Sequence, residues 1–160
     1  MSRDWITLLI LFGICFTVAA SGSVFTASSM KTWYPGLLKP AGTPPPWVFA
    51  PVWSILYLLM AAAACLVWRQ RIHEDVRLAL ALFTAQLMLN GLWSVVFFGL
   101  RRPGAALVGI IVLLAAIAVT AMRFAEFSHL AFWLMTPYGA WVLYASYLNF
   151  GIWRLNKGAA

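Results

Sequence analysis

The sequence predicts an all-α integral membrane protein, a bundle of five transmembrane helices whose first loop forms an aromatic lid. Three observations carry that expectation. The 160 residues are 64% hydrophobic and only 9% charged, against about 25% charged residues in a soluble domain. Five apolar stretches, roughly from Trp5 to Ala27, Pro46 to Trp68, Leu78 to Gly99, Ala105 to Met122 and Leu130 to Trp153, each have the roughly 17–25 residues a helix needs to cross a bilayer. The segment from Trp33 to Tyr57, WYPGLLKPAGTPPPWVFAPVWSILY, holds three Trp, two Tyr, six Pro and two Gly. Such a rigid aromatic loop at the mouth of a bundle suggests a flat apolar molecule bound beneath it. The spans take up nearly the whole chain, which predicts one domain over residues 1–160.

The first span opens on Arg3 and ends in small and hydroxyl residues, Ala19, Ala20, Ser21, Gly22 and Ser23, suited to close packing against neighbours. Its apolar run exceeds a usual signal-peptide core, and Asp4 interrupts the basic start, so a retained helix is expected. The second span begins at Pro44-Pro45-Pro46, where missing amide hydrogens cost nothing because first-turn amides have no helical partner. Phe49, Trp53, Tyr57 and Met60 then share one face. Trp47 sits where interfacial Trp usually lie, whereas Trp53 is about two turns in and is the better cavity candidate.

The third span sets Gln86, Asn90, Trp93 and Phe97 on one face at spacings of four, three and four. Amides inside hydrocarbon need hydrogen-bond partners, either on other helices or on a ligand. Ala81 and Ala85 form a small-xxx-small pair, a surface for close helix approach within the monomer or across a dimer. The fourth span is almost entirely Val, Ile, Leu and Ala and reads as scaffold. In the fifth, Tyr138, Trp141, Ala145 and Leu148 share a face, with Asn149 beside them.

Cys15 and Cys65 fall inside spans and His73 and His129 beside short loops, without metal-ligand spacing. No metal site, catalytic triad or phosphate-binding Gly loop is expected, and no nucleic-acid partner. Five spans put Arg3, Arg69, Arg71, Arg77 and Arg123 at one end with all four acidic residues, Asp4, Glu74, Asp75 and Glu126. The other end carries Lys31, Lys39, Arg101, Arg102, Arg154 and Lys157 and no acid. Six cations against five favour the lid and C-terminus on the cytoplasmic side. The acid-free end would attract anionic headgroups or a carboxylate-bearing ligand.

Trp33-Tyr34, Lys39-Pro40, Pro44-Pro45, Trp47-Val48, Pro51-Val52-Trp53, Leu56-Tyr57 and Met60 stand in the order of a known family. So do Gln86-Leu87, Leu89-Asn90, Trp93, Phe97-Phe98-Gly99, Pro137-Tyr138 with Trp141, and Leu148-Asn149 with Trp153-Arg154. On these residues the whole chain resembles the tryptophan-rich sensory protein and translocator protein family (TspO/MBR), the peripheral-type benzodiazepine receptors. The resemblance implies a multi-pass protein of a bacterial membrane, inner or outer, commonly a homodimer among membrane lipids. It implies a porphyrin, such as protoporphyrin IX, as ligand and no required cofactor. Carried over by position, the ligand-binding residues are Pro45, Phe49, Ala50, Trp53, Tyr57, Asn90, Trp93, Trp141, Ala145 and Leu148. Trp33, Lys39 and Trp47 form the lid, with Lys39 placed to meet porphyrin propionates.

Three activities fit that resemblance. The leading one is a sensor or receptor that binds porphyrin. The second is light- and oxygen-dependent porphyrin breakdown, in which Trp53 and Trp141 match the implicated tryptophans. The third is uncoupled transport of porphyrin or sterol-like lipids; no midspan charge or internal repeat of a coupled transporter is present. The chain departs from the family pattern in having Ala41-Gly42 where an aromatic often follows Lys-Pro, which suggests a looser lid or different ligand contacts. Ala105 stands where animal members carry Trp. Phe150 replaces the central Tyr of the cholesterol motif, and six residues separate Tyr147 from Arg154, so sterol binding is not expected.

Overall fold

Each of the five apolar stretches is helical in the computed structural model, which describes residues 2–157. The helices are α1 (Ser2–Thr32), α2 (Pro46–Arg69), α3 (Arg77–Ser94), α4 (Pro103–Ala125) and α5 (His129–Leu155). At 1.5 Å per residue, the 24 residues of α2 and the 23 of α4 span about 35 Å, enough for a hydrocarbon core of roughly 30 Å. Among the described residues, Pro46–Ile72, Arg77–Gly99 and Pro103–Ala125 are long and apolar enough to cross a membrane by composition alone. α5 has 27 residues, enough in length, but intersperses its apolar residues with Trp, Tyr, Asn and Pro.

Contacts between neighbours run α1, α2, α5, α4, α3 and back to α1, which closes the bundle into a ring. Ala61, Ala63 and Ala64 of α2 are fully buried, and their size lets the backbones approach closely. Around them pack Met60, Phe83, Leu87, Ile117, Phe124 and Met135. A second cluster, Tyr34, Phe97, Phe98, Ala106 and Ile152, fills the lid end. The outward faces carry Leu58, Met88, Leu92, Val108, Ile111 and Met122, all exposed, as a lipid-facing surface requires. The small-residue run Ala19–Ser23 falls on side chains outside those described.

Two local departures from a straight helix shape the site. α3 continues as a π-helical segment over Val95–Gly99, with Leu100 N–H donating to the carbonyl of Val95 at 2.8 Å. That widened turn inserts one residue and buries Phe97 and Phe98 side by side. The short turn that follows puts Arg101 at φ 55° before Pro103 starts α4. At the opposite end, Ser128 caps α5 by accepting from Ala131 N–H at 3.3 Å.

Candidate functional site

The lid is fastened to the C-terminal end of α5 by side-chain hydrogen bonds to its main chain. Asn156 accepts from Leu38 N–H at 3.1 Å and donates to Leu38 C=O at 2.9 Å. Tyr147 donates to the carbonyl of Ala41 at 3.0 Å, and Tyr144 donates to that of Gly42. Gly42, at φ 83°, occupies the third position of a β-turn closed by Thr43 N–H to Pro40 C=O at 3.4 Å. Only a residue tolerant of positive φ suits that position. The Ala41-Gly42 departure therefore gives a tightly held turn rather than the looser lid the sequence suggested. Pro40 lies on Gly151, where a Cβ would stand only 2.6 Å from Pro40 Cγ.

Of the predicted lid residues, Trp33 packs edge-on against Phe97 at 5.8 Å. Lys39 is turned into the loop: its Nζ donates to the carbonyls of Pro35 (3.3 Å) and Leu37 (3.0 Å) and lies 4.9 Å from the Tyr34 ring. Trp47 is 74% exposed and takes the outward position of an interfacial anchor. Tyr34 is buried beneath the loop, and desolvation raises its phenol pKa above the ordinary value.

Between α1, α2, α3 and α5 is a cavity of about 580 Å³, and none of the predicted lid residues Trp33, Lys39 and Trp47 is among the residues that line it. Its wall is built by Phe49, Ala50, Trp53 and Tyr57 of α2, Asn90 and Trp93 of α3, and Trp141 and Ala145 of α5. The remaining predicted binding residues lie outside this wall. Pro45 is the residue just before α2, and Leu148 is buried at 5% exposure. The wall also contains Phe16, Thr26, Ala27 and Met30 of α1, with Pro46, Ser54, Ser94 and Phe98. Sequence reasoning missed the α1 set because that helix has no polar or aromatic stripe. It missed Phe98 because ideal helical spacing selects Phe97, and only the π segment brings Phe98 round to join it.

The aromatic walls are held by their neighbours. Trp53 packs against Tyr57 at 5.7 Å and Tyr138 at 6.2 Å. Trp141 lies between Phe49 at 6.0 Å and Tyr144 at 5.7 Å, and Trp93 stacks on Phe97 at 5.5 Å. Asn90 finds its partners on other helices. Its amide donates to Tyr138 Oη at 2.8 Å and its carbonyl accepts from Tyr57 Oη at 3.4 Å. Trp93 Nε1 donates to Asn149 at 3.1 Å, and Asn149 donates to Pro103 C=O at 2.7 Å. Gln86, one turn from Asn90 and fully buried, has no hydrogen-bond partner among the described residues, against the expectation that both amides would be paired.

Among the described residues the wall contains no Asp, Glu, His, Lys or Arg. Among the described residues no three His, Cys, Asp or Glu gather to hold a metal. This chemistry suits stacking and dispersion with a few hydroxyl and amide contacts. It places no general acid or base. Fold and site together define a membrane-embedded helical bundle with an aromatic cavity between its helices.

Comparison with known proteins agrees. The TspO/MBR family model matches residues 11–154. The chain is 41% identical over 160 residues to the tryptophan-rich protein TspO of Chlorobaculum tepidum, covering 98% of this chain and 99% of that one. It is 44% identical over 139 residues to the protein of that name from Archaeoglobus fulgidus, covering 87% and 90%. It is 40% identical over 150 residues to the human translocator protein, covering 89% of each. The chain belongs to the TspO/MBR family and is an integral membrane protein with that family's five-helix bundle.

Proposed function

We propose that this protein is a membrane receptor that binds a porphyrin, or a similarly flat hydrophobic molecule, in the cavity between its helices. The observation that carries this reading is the convergence of Trp53, Trp93 and Trp141, from three different helices, on one cavity. Its volume falls within the roughly 300–1,000 Å³ of small-molecule sites, and its walls offer π surfaces rather than charges. Macrocycle stacking on indoles needs that arrangement. Lys39 meets a propionate only by exchanging its two loop carbonyls for it.

The test is a titration of purified protein with protoporphyrin IX in the dark, read by tryptophan fluorescence quenching, for wild type, Trp53→Ala and Trp141→Ala. Saturable quenching that weakens in both variants is expected. Non-saturating quenching indifferent to both would overturn the reading.

One observation favours light-dependent breakdown as the second reading. The three cavity indoles are oxidisable groups within reach of any bound porphyrin, while the reactive oxygen would come from the photoexcited ligand and dioxygen. A defined product lost in Trp53→Phe with binding retained would select it. Equal breakdown of free porphyrin in detergent would exclude it.

We also infer a homodimer through α3. Leu78, Ala81, Ala85, Met88 and Leu92 recur at alternating spacings of three and four, and all are exposed. Small residues at that repeat permit close helix contact in a membrane. Ala85→Phe is expected to shift the detergent-solubilised protein from dimer to monomer in light-scattering mass measurements.

A further inference from the structure

The end of the bundle where α4 begins and α5 finishes carries a cluster of cations that the cavity does not use. Arg101 and Arg102 form the turn before α4, and Arg154 and Lys157 close α5; all four are exposed. The two pairs belong to one patch. The Trp153 indole lies against Gly104, the second residue of α4, so closely that a Cβ there would be 2.7 Å from Trp153 Nε1. Lys157 Nζ in turn lies 3.9 Å from the centre of the Trp153 ring. Asn149 ties the start of α4 to α5 through Pro103 C=O, and Arg102 N–H donates to Val96 C=O at 3.2 Å. The turn is therefore fixed rather than trailing.

Among the described residues no acidic side chain accompanies the patch. The chain's four acidic residues all fall at the opposite ends of the helices. α4 has no acid in its first turn, so its positive helix end adds to the cations. The two ion pairs seen among the described residues, Arg77–Asp75 and Arg123–Glu126, both lie at the other end. Arg101 adds a second argument. It adopts φ 55°, a left-handed conformation that costs a residue with a Cβ and costs glycine nothing. A turn that keeps Arg in a glycine conformation gives up stability for a cation at that place.

We propose that this patch is a binding site for the phosphodiester headgroup of an anionic phospholipid. The location decides the source of the phosphate. Arg101 and Arg102 stand at the junction of two membrane-length helices, Arg77–Gly99 and Pro103–Ala125, the level at which headgroups lie. Trp153 supplies the amphipathic ring suited to that depth, while guanidinium groups match phosphate oxygens two at a time. The site is independent of the cavity and of its ligand.

The experiment is native mass spectrometry of the full chain in detergent, titrated with phosphatidylglycerol or phosphatidylcholine, reading the affinity of the first bound lipid. Wild type is expected to prefer phosphatidylglycerol. Arg102→Gln and Lys157→Gln should each reduce that preference by up to about fivefold, with phosphatidylcholine binding unchanged. Arg101→Gly is the sharper variant: it should bind phosphatidylglycerol less tightly while melting at a higher temperature, a combination that misfolding does not produce. Arg71→Gln, which removes one charge from the other end, should leave the preference intact. Three results would overturn the proposal: no preference in wild type, an undiminished preference in Arg101→Gly and Arg102→Gln, or an equal loss in Arg71→Gln. Displacement of the lipid by inorganic phosphate at matched ionic strength would also do so, by showing a site for free anions.

Discussion

Replacing Gly151 by alanine tests whether the lid is held as the hydrogen bonds describe. The new Cβ would stand 2.6 and 2.7 Å from Pro40 Cγ and Cβ, where carbons in contact prefer about 3.5–4.0 Å. Both neighbours are stiff, a proline ring on one side and a helix on the other, so the loop must lift by roughly 1 Å. Pro40 lies between the Leu38–Asn156 pair at 3.1 and 2.9 Å and the Tyr147–Ala41 bond at 3.0 Å. A lift of that size takes all three bonds out of range. At about 0.5–1.5 kcal/mol net for each bond, lid closure weakens by roughly 2–4 kcal/mol, or about 30- to 1,000-fold in the closed-to-open ratio. Hydrogen–deuterium exchange over residues 37–43 reads this directly and without any ligand. Gly109→Ala is the control, because a Cβ there meets nothing within 4 Å. Unchanged exchange in Gly151→Ala would refute the reasoning, as would an equal effect in Gly109→Ala.

Three further outcomes follow from the polar groups. Asn90→Leu strands the buried hydroxyls of Tyr57 and Tyr138 and is expected to cost about 1–3 kcal/mol. Adding Tyr138→Phe should restore part of that loss in a detergent unfolding curve. Gln86→Met removes a fully buried amide without partners and is expected to raise the melting temperature, by up to about 1–3 kcal/mol of stability; a fall would show that the amide has a use. Asp75 is held below the ordinary aspartate value of about 3.9, chiefly by the Arg77 side-chain hydrogen bond. A lowered carboxyl pKa stabilises the fold above the ordinary value and ceases to do so as pH falls through the lowered one. Exchange in the 70–77 loop should therefore rise below about pH 4, and Asp75→Asn should abolish that step.

The helices were legible because membrane spans announce themselves by length and apolarity, and the start of α2 by its prolines. The aromatic faces of α2 and α5 were legible because Trp53, Tyr57, Tyr138 and Trp141 keep a helical period that the fold preserves. Where the period breaks, sequence reading fails: the π segment moved Phe98 into the wall beside the face that ideal spacing had assigned to Phe97. Lys39 shows another limit. A cation in a lid invites a ligand carboxylate, but its nearest acceptors are loop carbonyls, which carry no mark in the sequence. Tyr144, Tyr147, Gly151 and Asn156 were illegible as lid anchors because each meets its partner more than 100 residues away.

α5 contributes Trp141 and Ala145 to the cavity and, on the following turns, the residues that fasten the loop. The rings of Trp141, Tyr144 and Tyr147 follow one another at 5.7 and 6.3 Å. For a guest bound as proposed, α5 therefore bears both on how tightly it is held and on how long it stays. Changes on α2, at Phe49, Trp53 or Tyr57, alter the first without touching the anchors of the second. A change on α5 moves both, so affinity and residence time vary together along this helix and separately everywhere else in the wall.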